Sequence, residues 1–252
     1  MTKMILSGCN GRMGRAIASI AAQYDVVIVA GVDLCDAPSL SYPVYKTIAE
    51  YTGEADVIVD FSHFSALDQI LDYAVERQIP AVLSTTGYSE AQLAKIEETS
   101  RKVPLFRSAN MSVGINLLAL LTRKAAAILG SDFDIEVVEK HHNKKLDAPS
   151  GTALILADAA AAAFEDGKQY VYDRHSVRKE RSKDEIGIHS IRGGTICGDH
   201  DVIFAGYNEV VTLSHSVSNR EVFASGALRA ASYMAGVTEK RLHSMNDLFG
   251  DL

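Results

Sequence analysis

The stretch Lys3-Met4-Ile5-Leu6-Ser7-Gly8-Cys9-Asn10-Gly11-Arg12-Met13-Gly14 decides the fold. A short apolar run ends in glycines, which lead straight into a segment of helical period, Arg12 to Tyr24. A strand that turns into a helix in this way leaves backbone N–H groups at the helix N-terminus, where an anion can be held. Glycines there let a phosphate approach the backbone closely. The spacing is G-x-x-G-x-x-G, with Asn10 where the dinucleotide fingerprint usually has its second glycine, so on the motif alone a plain tight turn stays open. Asp33, 19 residues beyond Gly14 at the end of the next apolar run, stands where a carboxylate usually bonds the adenosine ribose. It would repel a 2′-phosphate, and its neighbour Leu34 offers no positive charge to offset that, which favours NADH over NADPH. Arg12 is an alternative partner for the phosphate, and a turn cap is the alternative role for Asp33.

Outward from this loop, the first third alternates β-branched runs (VVIVAGVD, DVIVDF, PAVLST, PLFRSAN) with helical segments at Ser62 to Arg77 and Ser89 to Lys102. The second of these helices opens on a capping box, Ser89 with Gln92. That is the writing of a parallel sheet with crossover helices. After Asn110 the pattern changes. A long apolar helix, Val113 to Leu129 with Gly130 as its stop, leads into DFDIEVVEKHH and a further helix. Three runs then follow with no helical crossover, IGIHSIRGG, TICGDHDVIFAG and EVVTLSHSV, which predict a largely antiparallel or mixed sheet. EVFASGALRAASYMAG returns to helix with a small-residue face suited to packing on the first sheet. The expected fold class is α/β: a Rossmann-type parallel-sheet dinucleotide-binding domain over 1–111 and 221–252, and a smaller α+β domain with a mixed sheet over 112–220.

The chain has 252 residues, 47% hydrophobic and 23% charged, and a net charge of -7. That is ordinary globular usage, with the wrong overall sign for a nucleic-acid footprint. Cys9, Cys35 and Cys197 form no C-x-x-C, which argues against a disulfide framework or structural zinc and for a reducing compartment. No run reaches the roughly 18 uninterrupted apolar residues of a membrane span, so the expectation is a cytoplasmic protein with no membrane partner.

Proton-handling groups concentrate in the stretch from Glu136 to Ala153. Ser150, Gly151 and Thr152 follow a proline and precede a helical run, so their amides and hydroxyls suit a carboxylate docking at that helix N-terminus. His141 and His142 end a strand, where consecutive side chains point to opposite faces, so at most one of the two is expected to line the cleft directly unless the strand breaks there. Lys145 follows on the loop; an ammonium pairs with a second carboxylate and can supply a proton. Glu136 and Glu139 with the histidines match no standard zinc spacing, and no metal is expected. The basic run Arg174 to Lys183 is interleaved with acids and lacks aromatics, and reads as a solvated loop. From the residues alone two other readings stay open: a nicotinamide reductase of a different imino or amino dicarboxylate, and a dinucleotide-sensing regulator without catalysis.

EVVEKHHNKKLDAPSGTA at 136–153 and GCNGRMG at 8–14 closely resemble the 4-hydroxy-tetrahydrodipicolinate reductase family, also called dihydrodipicolinate reductase. The likeness extends through STTG at 84–87, SANMSVGIN at 108–116, IRGG at 191–194, GDHDVIFAG at 198–206 and HSVSNR at 215–220. The resemblance implies reduction of a small cyclic dicarboxylate by NADH or NADPH in the diaminopimelate route to lysine. It gives His141 as proton donor or acceptor and Lys145 as proton donor, with His142, Gly151, Thr152 and Ser150 on substrate carboxylate. Coenzyme contacts would come from Gly8, Cys9, Asn10, Gly11, Arg12, Met13, Asp33, Ser84, Thr85, Thr86, Ser108, Ala109, Asn110 and Met111. Met111 stands where the family often has phenylalanine, and Leu34 where members that use NADPH well often have arginine. The resemblance further implies a homotetramer built through the middle domain, and domain closure about joints near Asn110 and Arg220.

Overall fold

β-Branched runs broken by glycine and by capped helices fold as their periods require, and a computed structural model describes residues 1–35 and 40–250. The chain divides into two units, Met1–Val113 with Glu221–Leu252, and Gly114–Arg220. The first unit begins with β1 (Thr2–Ser7), α1 (Arg12–Ile20), β2 (Val26–Val32), β3 (Val44–Tyr45), β4 (Val57–Asp60), α2 (Leu67–Arg77), β5 (Ala81–Leu83), α3 (Glu90–Ser100) and β6 (Leu105–Arg107). The second unit follows with α4 (Val113–Leu129, its first residue in the first unit), β7 (Asp134–His141), α5 (Gly151–Ala161), β8 (Gln169–Val171), β9 (Glu185–Arg192), β10 (Gly198–Ala205) and β11 (Val210–Val217). The chain then returns to the first unit with α6 (Glu221–Met234) and β12 (Leu242–His243).

The first unit's seven strands are ordered β12-β6-β5-β4-β1-β2-β3, and every pairing is parallel. Such a sheet is buried on both faces, which explains the near-continuous apolar runs Met4 to Leu6 and Val57 to Val59, all fully buried. One face packs with α1 and α6 around Met4, Leu6, Val57, Val59, Ala227 and Leu228; the other packs with α2 and α3 around Ile5, Ile58, Leu71 and Ile96. Burying each of the larger of these side chains, valine upward, stabilises by about 1.5–3 kcal/mol. The small residues of α6 have a steric reason: a Cβ on Gly226 would lie 1.6 Å from the Met111 carbonyl oxygen. β1 lies between β4 and β2, so the strand order reverses there and the carboxyl ends of these strands open a crevice.

The second unit's sheet runs β11-β10-β7-β9-β8 and is mixed: β10 is antiparallel to β7 and β11, while β9 is parallel to β7 and β8. β7 and β10 alternate buried and half-buried positions, as a sheet covered by helices on one face does. The covered face packs α4 and α5 through Leu118, Ala126, Leu156, Val137, Val202 and Phe204. Gly130 stops α4 with φ +62°. The run Val113–Asp132 is long and apolar enough by length and composition to cross a membrane, yet it carries Arg123 and Lys124 and buries Leu118, Thr122 and Ala126.

Four elements differ from their sequence reading. The helix expected from Ser62 opens as a 3₁₀ turn, Phe64–Ala66, because the His63 ring accepts the Ser65 amide and sets a tighter start before α2. The helix expected to run to Tyr24 becomes a 3₁₀ turn over Ala21–Tyr24, closed by Asp25 at φ 56°. The short strands β3 and β8 carry too few residues to show a period.

Candidate active site

The loop after β1 is shaped by backbone contact. Gly8 has φ +77°, and a Cβ there would lie 2.5 Å from the Phe61 carbonyl oxygen, so no other residue fits without moving the loop after β4. A Cβ on Gly14 would lie 2.3 Å from the Gly8 carbonyl oxygen, which seats the first turn of α1 directly on the loop. Gly11 is the N-cap of α1 and has no side chain to occupy the helix amides. Asp33 accepts from the Asn10 amide at 2.9 Å and the Cys35 amide at 3.0 Å, tying the loop to the end of β2. A cavity of about 400 Å³ opens here, lined among others by Gly8, Gly11, Asp33, Lys46, Phe61 and His63. A glycine cradle, an uncapped helix start and a ribose-range carboxylate around one cavity fit a dinucleotide.

The other expected coenzyme residues leave the same carboxyl edge of the parallel sheet at the ends of β5 and β6. Asp60, buried at the end of β4, accepts from the Thr85 hydroxyl at 2.8 Å and the Ser62 hydroxyl at 2.6 Å, and so fastens two of these loops. Ser84 is buried and its hydroxyl has no hydrogen-bond partner among the described residues, while Thr86 and Ala109 are exposed. Ser108 and Asn110 hold their turn through the bond from Ser108 Oγ to the Asn110 carbonyl at 2.7 Å. Cys9 and Met111 are buried as whole residues in the core cluster beneath α1 and α6, so neither presents a side chain at the loop surface.

In the second unit the chemistry gathers at the carboxyl end of β7. Glu139 and His141 are two residues apart and share the buried face, so Glu139 Oε2 meets His141 Nδ1 at 2.6 Å. The β7–β9 register sets Arg192 opposite His141, and its guanidinium grips both Glu139 oxygens at 2.7 Å and also donates to the Asp147 carbonyl at 2.7 Å. Burial pushes the Glu139 carboxyl up, but Arg192, His141 and Ser190 outweigh it and hold it down at about 2. The His141 ring meets that of His200 edge-on, 5.2 Å between centroids. Burial and the neighbouring His141 push His200 down to about 4, so its ring is neutral at ordinary pH.

Ser150 has a different position from the one its sequence suggests. It is buried; its amide donates to Glu139 at 3.1 Å, its hydroxyl accepts from the Ala153 amide at 3.1 Å and lies 3.1 Å from His200 Nε2. Its amide and hydroxyl are committed to capping α5 and fixing it to β7 and β10. Gly151 is exposed, and a Cβ there would meet nothing within 4 Å, so no packing demands glycine. Thr152 is half-buried beside it. Lys145, half-buried with its side chain 20% exposed, pairs with the exposed Asp147 at 2.8 Å. His142 follows the end of β7, half-buried, with Nδ1 lacking a partner among the described residues.

The sequence model for the N-terminal part of dihydrodipicolinate reductase matches residues 2–111, and that for its C-terminal part matches residues 114–249. The chain belongs to the dihydrodipicolinate reductase family. Among curated members, the 4-hydroxy-tetrahydrodipicolinate reductase of Caldanaerobacter subterraneus subsp. tengcongensis is 50% identical over 249 residues, and that of Clostridium novyi is 48% identical over 249 residues; each alignment covers 98% of both chains. A solved dihydrodipicolinate reductase from Paenisporosarcina sp. TG-14, with dipicolinate bound, superposes with a TM-score of 0.80 at 26% identity, covering 98% of this chain and 99% of that one.

Within the dihydrodipicolinate reductase fold, sequence reading missed the partners that hold its expected residues in place. Arg192 and His200 are 53 and 61 residues from Glu139, and only strand register joins them to it. The basic loop read as solvated is ion-paired instead: Arg181 and Arg174 bond Glu136 at 2.9 Å each, and Arg174 bonds Glu185 at 2.8 Å.

Proposed function

We propose that this chain catalyses the NAD(P)H-dependent reduction of (2S,4S)-4-hydroxy-2,3,4,5-tetrahydrodipicolinate to (S)-2,3,4,5-tetrahydrodipicolinate and water, in the diaminopimelate route to lysine. The observation that carries this reading is the cluster at the end of β7. There buried Glu139 joins His141, Arg192 and the Ser150 amide at the N-cap of α5, and Arg192 also holds the Asp147 carbonyl in the loop that carries Lys145. A bound nicotinamide coenzyme supplies hydride. Gly8, Gly11 and the start of α1 hold the pyrophosphate, and Asp33 takes the adenosine ribose hydroxyls, which favours NADH because Leu34 brings no cation.

The amides of Gly151 and Thr152 receive one substrate carboxylate at the helix N-terminus, where the helix dipole favours negative charge. His142 borders the same loop and assists. Lys145 exchanges Asp147 for the second carboxylate and presents its ammonium proton to the ring. Loss of water from the hydroxylated substrate gives a conjugated imine. Hydride adds at the carbon remote from the nitrogen, and the resulting enamine takes a proton from Lys145 at the adjacent carbon. His141, held by Glu139, is the second proton-handling group and stabilises charge at the ring nitrogen. By family likeness the working form is a cytoplasmic homotetramer built through the second unit, whose edge strand β11 leaves Val210 and Val211 exposed.

A coupled assay with freshly generated cyclic substrate, run with each coenzyme, tests the reading. Substrate-dependent oxidation of reduced coenzyme is expected. Turnover of another imino dicarboxylate with none of this one would overturn it.

A further inference from the structure

The parallel ladder of the first unit sets a cation beside Asp33 that chain order conceals. β2 and β3 pair with Val32 opposite Tyr45, and the Asp33 amide donates to the Tyr45 carbonyl at 3.0 Å. The residues that follow, Asp33 and Lys46, therefore leave the same edge of the sheet as neighbours. Both line the cavity that holds the glycine loop. Lys46 is exposed and its ammonium donates to the Leu34 carbonyl at 2.9 Å, onto the residue immediately after the ribose-range carboxylate.

A ribose that carries a 2′-phosphate brings close to two negative charges to this place, which Asp33 repels. Leu34 cannot answer that repulsion, but an ammonium anchored on its carbonyl can. We propose that Lys46 forms a 2′-phosphate subsite on the ribose side of the cavity and thereby lets this chain accept NADPH alongside NADH. The inference rests on the reading of that cavity as the nucleotide site. It assigns coenzyme breadth to a residue 13 positions beyond the acid that sequence motifs consult.

Calorimetric titration with adenosine 2′,5′-bisphosphate and with 5′-AMP, on the wild type, Lys46→Ala and Lys46→Arg, tests it, with NADPH and NADH as a second pair. A charge-assisted contact of this kind predicts that Lys46→Ala lowers the ratio of affinities, phosphorylated over unphosphorylated, by about tenfold or more in both pairs. Lys46→Arg is expected to restore most of that ratio. A ratio unchanged in Lys46→Ala, whether both affinities fall together or neither moves, overturns the proposal. A wild type that binds none of the four ligands overturns the nucleotide reading of the cavity itself, an outcome distinct from a constant ratio.

Discussion

The loop before α1 and the loop before α5 each bring a helix N-terminus to an open edge of a sheet, and they are built by opposite means. The first is held by backbone against backbone, with Gly8 and Gly14 at distances that admit no side chain and Gly11 leaving the helix uncapped. The second is held by side chains: Ser150 caps α5, and Glu139, Arg192, His141 and His200 lock the cap to the sheet. A loop that must lie against a pyrophosphate gains from having nothing in the way. A loop that must hold and move protons needs groups whose charge and orientation are fixed by others.

Two glycines break this comparison most sharply. Gly8→Ala places a methyl group on a carbonyl oxygen at positive φ, and is expected to destabilise the protein by about 2–4 kcal/mol and weaken coenzyme binding at least about tenfold. Gly151→Ala meets open space, so stability should change by less than about 0.5 kcal/mol while the KM for substrate rises by roughly tenfold. Thermal unfolding with coenzyme and substrate titrations separates the two; similar effects at both positions would erase the distinction drawn above.

Glu139→Gln comes next. It keeps the shape, removes the charge that balances Arg192 and meets His141 Nδ1, and should lower kcat by about tenfold to hundredfold with a smaller change in KM. Equal loss in both, or none, would mean that Glu139 serves only the fold.

The smallest effect concerns acid stability. His200 titrates near 6.5 unfolded and about 4 folded, so the unfolded chain binds its proton first. Its contribution is therefore full above pH 6.5 and fades as pH falls toward 4; Glu139 adds a further loss between 4.5 and about 2. Unfolding free energy should drop by on the order of 1–2 kcal/mol from pH 7 to pH 5 through His200. Urea denaturation of His200→Gln at the two pH values should show a flatter dependence, and an unaltered slope would remove His200 from this role.

The sequence carried the glycine loop, the parallel sheet and the HHNKK and PSGT segments because each is written locally, in period, caps and turn residues. The supporting network was not legible, since Arg192 reaches Glu139 only through the register of β7 on β9. Ser150 misled for a related reason: a serine before a helix reads as an open donor, and only the packed structure shows its amide and hydroxyl already engaged. Lys46 stayed hidden because β3, two residues long, has no period to announce it.

The most direct test of the account is the Lys145→Ala variant, followed for coenzyme oxidation with the cyclic substrate while coenzyme affinity is measured separately by fluorescence. Turnover is expected to fall by about a hundredfold or more, the scale of losing a positioned acid, with coenzyme affinity close to that of the wild type. Turnover at the wild-type rate, or a fall matched by lost coenzyme binding, would contradict it.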